Sequence, residues 1–326
     1  MKILAPISSP DETEDLLKAG ADELYCGLLT EEWRRAYANI GSPNRREYAR
    51  ANLTNYTQLQ EIIGCASKYN VKVFLTLNER YSEGQYPVVM EQAKRATALG
   101  VDGFILADLG LLRLLKEKGL NVSVSMSTGS AVFNSESAKF FKSLGTHSVT
   151  LPRHLSLGEI KEIVTKNPDM RFEIFILNGA CRYADGFCTF IHGVEEFNNP
   201  KTSEMIYRSS ACYLNYDVAF ENNFLKQETN FDIAEKIRSS FKLYHGVKNC
   251  ALCFLPEFKE WGIYGLKIVG REDSKSSKVK DTQFVKALLT YLKKRRCDKK
   301  EFRRYTKELF WSTYHFKCNK SCYYEY

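Results

Sequence analysis

Cys181 and Cys188 bracket the segment CRYADGFC, Cys212 follows in SSACYLNY, and Cys250 and Cys253 make a CxxC step in NCALCFLPEF. Four thiolates are the usual ligand set of an iron–sulfur cluster and also of structural zinc. Zinc sites favour paired CxxC knuckles. Only the last pair here has that spacing, and the spread of the others suits a cluster seated in a pocket. Zinc stays open as the competing ion, and packed, unligated thiols as the third reading. A CxxxCxxC motif is absent, so radical chemistry with S-adenosylmethionine is not indicated. The chain holds ten cysteines, eight of them after residue 180, which is why the second half draws attention. Cys26 and Cys65 sit in apolar contexts and read as inert core thiols. Cys318 and Cys322 lie one helical turn apart, downstream of Cys297, and read as packed or exposed thiols; a second metal site there needs another ligand, such as His315.

A second group of polar residues falls where strands are expected to end: Asn78, Glu79, Tyr81, Asp108, Ser127, Thr128 and Arg153. Arg153 could clamp a carboxylate through its fork of donors, and Glu79 or Asp108 could carry a proton. The plainer readings are that Asn78 and Asp108 cap the helices that follow and that Arg153 makes an ion pair. Arg45 and Arg46, in SPNRREYARANLTNY, are placed in a loop over the same end of the molecule, to meet an anion or simply to face solvent. Motifs of the GxSxG and HExxH types are missing. Among five histidines only His154 and His192 fall near strand ends, so a thiol peptidase would need a histidine brought near in space.

The elements that would position these groups alternate regularly. Strands are expected at residues 2–7, 23–27, 72–77, 104–107, 122–126, 148–151 and 173–177, with helical patterns at 12–19, 56–69, 88–99, 135–144 and 157–165. Asn55 and Ser156 stand at N-cap positions, and several helices stop at a glycine. An eighth strand, at 265–269, follows a helical stretch at 256–261. Eight parallel strands with helices between them predict an α/β fold, a (β/α)8 TIM-like barrel, with an open doubly wound sheet as the alternative. The long interval between the seventh and eighth strands, residues 179–255, carries the cysteine site and begins where such barrels place their active sites. Residues 1–271 are thus expected to form the barrel, and 272–326 a basic, helical, aromatic-rich C-terminal extension.

With 326 residues, 44% hydrophobic and 26% charged, the chain can bury a sizeable core. No signal-peptide pattern opens it and no run of 18 apolar residues occurs, so a cytoplasmic protein with no membrane partner is expected. Net charge is +8, and between residues 293 and 304 eight Lys or Arg face only Asp298 and Glu301. That run reads as a solvated helix face or as a footprint for RNA.

Taken together, ADELYCG, NLTNY, VFLTLNERY, GVDGFILADLGLL, STGSAVFNS, LPRHLSLGEI, EIFILNGACRYADGFC and LPEFKEWGIYGLKIVGR resemble peptidase family U32, the collagenase-like proteases, over nearly the whole chain. The resemblance implies a barrel that binds a 4Fe–4S cluster on four cysteines. Matched to the family pattern, the ligands are Cys181, Cys188, Cys212 and Cys250, with Cys253 as a neighbour or substitute. It also implies two kinds of activity: peptide hydrolysis, and oxygen-independent hydroxylation of a small aromatic or of bases in RNA. A non-catalytic iron–sulfur protein working with a partner is the third reading. The chain departs from the family at Leu177 and Asn178, where relatives carry His and Gly. It also departs at Val269, which stands where LKIEGR has an acid, and at Tyr216, where a further cysteine is common.

Overall fold

The computed structural model describes residues 1–37, 41–47, 49–179, 181, 185–188, 250–294, 298–316, 318 and 322–324. Cys212, Cys297, His192, Tyr216 and most of the 179–255 interval lie outside them.

The eight strands are β1 (Lys2–Pro6), β2 (Glu23–Gly27), β3 (Lys72–Leu77), β4 (Gly103–Leu106), β5 (Ser123–Met126), β6 (Ser148–Thr150), β7 (Arg171–Leu177) and β8 (Gly265–Ile268). Each pairs in parallel with the next, and β8 returns to β1 through Ile3↔Leu266, so the sheet is closed. The barrel expected from the alternating pattern is the fold observed, with strand limits within two residues of expectation. Helices follow the strands: α1 (Thr13–Ala19), α2 (Glu31–Tyr37), α3 (Tyr56–Lys68), α4 (Tyr86–Ala98), α5 (Leu109–Glu117), α6 (Ser135–Ser143), α7 (Leu157–Thr165), α8 (Leu255–Trp261), α9 (Lys275–Lys294) and α10 (Lys299–Tyr314). Asn55 accepts from the Gln58 amide at 3.0 Å, and Ser156 with Glu159 forms a capping box. Both caps stand where the sequence placed them.

Alternation along the strands sorts side chains between two environments. Ile3, Ala5, Leu24, Cys26, Val73 and Leu75 pack in the main core beneath the helices. Leu4, Tyr25, Phe74 and Ile105 form a separate cluster that fills one side of the barrel interior. The other side is polar. Glu173 accepts from Ser125 Oγ (3.1 Å), Ser148 Oγ (2.8 Å) and Thr150 Oγ1 (2.9 Å), with Lys267 Nζ 3.7 Å away. Buried charge here is matched by hydrogen bonds, the condition under which it is tolerated.

Residues 275–294, read from the sequence as part of an extension, sit against α1 and β1, where the eighth helix of the barrel belongs. Phe284, Val285, Leu288 and Leu289 of α9 are buried, and Lys278 donates to both carboxylate oxygens of Glu12 at 2.9 Å. Part of the basic run is ion-paired on the surface of the barrel, Lys299 with Glu260 at 2.8 Å and Arg303 with Glu257 at 3.0 Å. Among the described residues no helix is long and apolar enough to cross a membrane.

Candidate functional site

At the C-terminal ends of the strands a cavity of about 100 Å³ opens, lined by residues from the strand ends, the 44–46 loop and the segment after β7. Of the residues singled out from the sequence, Arg45, Arg46, Asn78, Ser127, Thr128, Arg153, Cys181 and Cys188 all line it. Glu79, Tyr81 and Asp108 do not. Asp108 is the N-cap of α5, its Oδ1 accepting from the Leu111 amide (2.6 Å) and the Tyr86 hydroxyl (2.9 Å). Tyr81 is buried and donates to the Pro43 carbonyl at 2.6 Å. Glu79 is half-buried and accepts from the Arg80 amide at 2.8 Å. Asn78 gives Nδ2 to Ser127 Oγ at 3.3 Å, and its Oδ1 is buried with no partner among the described residues.

The segment bearing Cys181 and Cys188 is fixed by three arginines. Arg153 holds Asp185 through Nε (3.1 Å), Nη2 (2.7 Å) and its own amide (2.9 Å), and donates to the Gly179 carbonyl. Arg80 donates to the Gly129 and Gly186 carbonyls, and Arg45 to the Cys188 carbonyl at 3.3 Å. Gly186 has φ +95° and a Cβ there would come within 2.8 Å of the Ala131 Cβ, so glycine is what lets the segment close over the mouth. Burial disfavours both charges of the Arg153–Asp185 pair, yet each partner outweighs it in the other. The Asp185 carboxyl lies below its ordinary value and Arg153 above its own. The expected substrate clamp is therefore given to an internal carboxylate. Asp185, Arg80, Lys267 and Arg271 escaped the sequence reading; ADG inside the cysteine bracket and GR after β8 were the signals available.

Cys250 bridges Leu177, the last residue of β7, on one side and Cys322 on the other, and Tyr323 donates its amide to the Cys250 carbonyl at 3.1 Å. The tail is thus folded back onto the barrel mouth, which brings Cys318 and Cys322 towards Cys250 and Cys253. Burial, reinforced by Cys253, Cys322 and Cys318, pushes the Cys250 thiol up. Cys26 is pushed up to about 12 by burial, as an inert core thiol should be. Among the described residues no three His, Cys, Asp or Glu side chains are gathered to hold a metal ion. Cys181 lies close enough to Arg153 to feel its charge.

The sequence model of peptidase family U32 matches residues 8–325. The chain is 26% identical over 217 residues to tRNA hydroxylation protein P of Escherichia coli (strain K12), covering 67% of this chain and 44% of that one. Over 239 residues it is 25% identical to the 23S rRNA 5-hydroxycytidine C2501 synthase of the same organism, covering 71% and 33%. Collagenase of Porphyromonas gingivalis (strain ATCC BAA-308 / W83) is 24% identical over 199 residues, covering 57% and 44%. The chain therefore spans less than half the length of these relatives. A solved U32 peptidase structure matches at 17% identity with a TM-score of 0.43, covering 54% of this chain and 68% of that one.

Proposed function

Since this chain belongs to peptidase family U32, we propose that it is an oxygen-independent modification enzyme that hydroxylates a base in RNA, with a 4Fe–4S cluster held by Cys181, Cys188, Cys212 and Cys250. The observation that carries the reading is the placement of Cys181 and Cys188 in the wall of one polar, basic cavity at the barrel mouth. Relatives whose names state tRNA and rRNA hydroxylation supply the reaction class.

Thiolates are the usual ligands of such a cluster, and the Arg153 guanidinium lies close enough to Cys181 to interact with it. Cys250 bridges the end of β7 at Leu177, while Cys212 lies outside the described residues. These residues fit. A bound cluster would supply electron exchange. The chain's own residues then have separate tasks. Arg153 and Asp185 hold the segment between the first two ligands, and Asn78 offers one open amide atom to whatever enters. The basic rim at Arg45 and Arg46 meets negative charge.

Peptide hydrolysis is favoured less, because among the described residues lining the cavity none is a histidine that could serve as general base. Two measurements test the proposal. Anaerobically purified protein should be brown and contain iron and sulfide in equal amounts, and Ser at any of the four cysteines should lower both. RNA from cells lacking the chain should lose a nucleoside heavier than its parent by one oxygen, restored by the wild type and not by Cys181→Ser. Colourless anaerobic protein that holds zinc would sink the reading.

A further inference from the structure

The cations of α10 divide into two sets. Lys299 and Arg303 turn towards α8, where Glu260 and Glu257 hold them at 2.8 and 3.0 Å. Lys300, Arg304 and Lys307 turn away. At about 3.6 residues per turn these three and Trp311 fall within an arc of about 60°, in a stripe about 16 Å long. All four are exposed, Trp311 by 51%. Among the described residues no carboxylate lies within ion-pair distance of Lys300 or Lys307, and Arg304 has only Glu308, at 3.9 Å on the edge of the same face. The other acids of this segment are engaged elsewhere. Asp298 accepts from the Glu301 amide at 2.7 Å, and Glu301 from the Tyr291 hydroxyl at 3.1 Å.

The opposite face of α10 is taken. Phe302, Thr306 and Phe310 are buried, Tyr305 stacks on Tyr291 at 3.8 Å, and the Tyr314 hydroxyl donates to Asp281 at 2.5 Å. A helix seated this way has no apolar face left to enter a bilayer. The stripe it shows to solvent is three cations ending in an indole. That combination suits a nucleic-acid strand, because Lys and Arg neutralise phosphates and an exposed aromatic ring gives a base a plane to stack on. The stripe also has a direction. Glu260, which holds Lys299, sits at the end of α8 from which the chain enters β8, the base of the barrel. At the other end of α10, Tyr314 shares Asp281 with Asn178, the residue after β7. Trp311 is therefore at the end nearer the mouth.

We propose that the stripe of Lys300, Arg304, Lys307 and Trp311 docks an RNA strand along the outer wall of the barrel. The three cations track its backbone, and Trp311 stacks on an unpaired base where the strand turns towards the mouth. The inference rests on the reading of the chain as an RNA-modifying enzyme and adds a second contact surface to it, apart from the cavity. Affinity then depends on residues that never meet the base being modified.

The test is fluorescence anisotropy on the full chain purified anaerobically, with a labelled RNA hairpin bearing a single-stranded loop as probe, over a series of salt concentrations. The triple variant Lys300→Gln, Arg304→Gln, Lys307→Gln should lower the slope of log K against log salt by about two to three, and weaken binding alike for hairpins of unrelated sequence. Trp311→Ala should weaken binding by about tenfold and leave the salt slope unchanged, since stacking releases no counterions. Glu308→Gln, which removes the acid at the edge, should tighten it. All of these side chains are exposed, so the variants should melt with the wild type. The inference is overturned if the wild type binds no hairpin, or if the triple variant keeps the wild-type slope. It is equally overturned if vesicles of equal parts phosphatidylglycerol and phosphatidylcholine bind in place of RNA. The added oxygen in cellular RNA is read separately. Modified RNA together with a triple variant that binds normally would strike out the stripe alone. Hairpin binding that the triple variant loses, in a chain that modifies no RNA, would strike out the reaction alone.

Discussion

Asp108 illustrates how residue types leave two roles open that coordinates distinguish. Its carboxylate caps α5 and accepts from Tyr86, outside the cavity lining. Asn is as good an N-cap as Asp, so Asp108→Asn should cost at most about 1 kcal/mol and leave turnover intact, whereas Asp108→Ala should cost about 1–2 kcal/mol. Denaturant unfolding together with an RNA-modification assay checks this; loss of turnover in the Asn variant would restore a proton-transfer role. Asp185 is a case where charge itself matters. Burial raises its carboxyl and Arg153 outweighs that, leaving it below the ordinary value of about 3.9. A depressed folded-state pKa means that the contribution is complete above the unfolded value and fades as pH falls through the folded one. Asp185→Asn should therefore cost about 3 kcal/mol at neutral pH. The gap between variant and wild type should close on acidification, read from denaturant midpoints at a series of pH values.

At the scale of elements, the strand ends and their caps do most of the positioning. The Asn55 and Ser156 caps start α3 and α7 on opposite sides of the barrel, and Ala at each should cost about 1 kcal/mol, additively because the sites share no partner. The tail acts as an element too, since Cys322 adds a rung to Cys250 and Tyr324 donates to the Phe175 carbonyl at 3.0 Å. A chain ending at residue 316 should keep its barrel but uncover Cys250. Peptide mapping after alkylation should find that thiol labelled faster than in the full chain, and unchanged labelling would mean that the tail does not cover it.

Across the whole molecule, α9 ties the end of the chain to its beginning. Lys278 and Glu12 are both buried, so removing one leaves the other unpaired, and Lys278→Ala should cost about 3–5 kcal/mol. Replacing both by apolar residues, Lys278→Met with Glu12→Leu, should recover most of the loss. A chain ending at residue 271 should not fold cooperatively, because Leu16, Leu17 and Ala19 of α1 would lose the helix that covers them. Circular dichroism melts of the three proteins test these expectations directly.

The alternating pattern of apolar runs, caps and glycine stops determined a parallel α/β fold and favoured a barrel over an open sheet, because a parallel strand buried on both faces and an amphipathic helix leave separate periodic marks; the β1–β8 pairing decided the closure. The pattern also determined which end of the barrel carries the polar residues, since that follows from where each strand stops. What the sequence could not decide is which polar groups face one another. Arg153 and Asp185, or Arg271 and Asn44, meet only when the sheet closes and distant loops fold over its mouth. The same closure assigned residues 275–294 to the barrel, because the face that covers α1 is defined by β1 pairing with β8, a contact between the two ends of the fold that no local periodicity records.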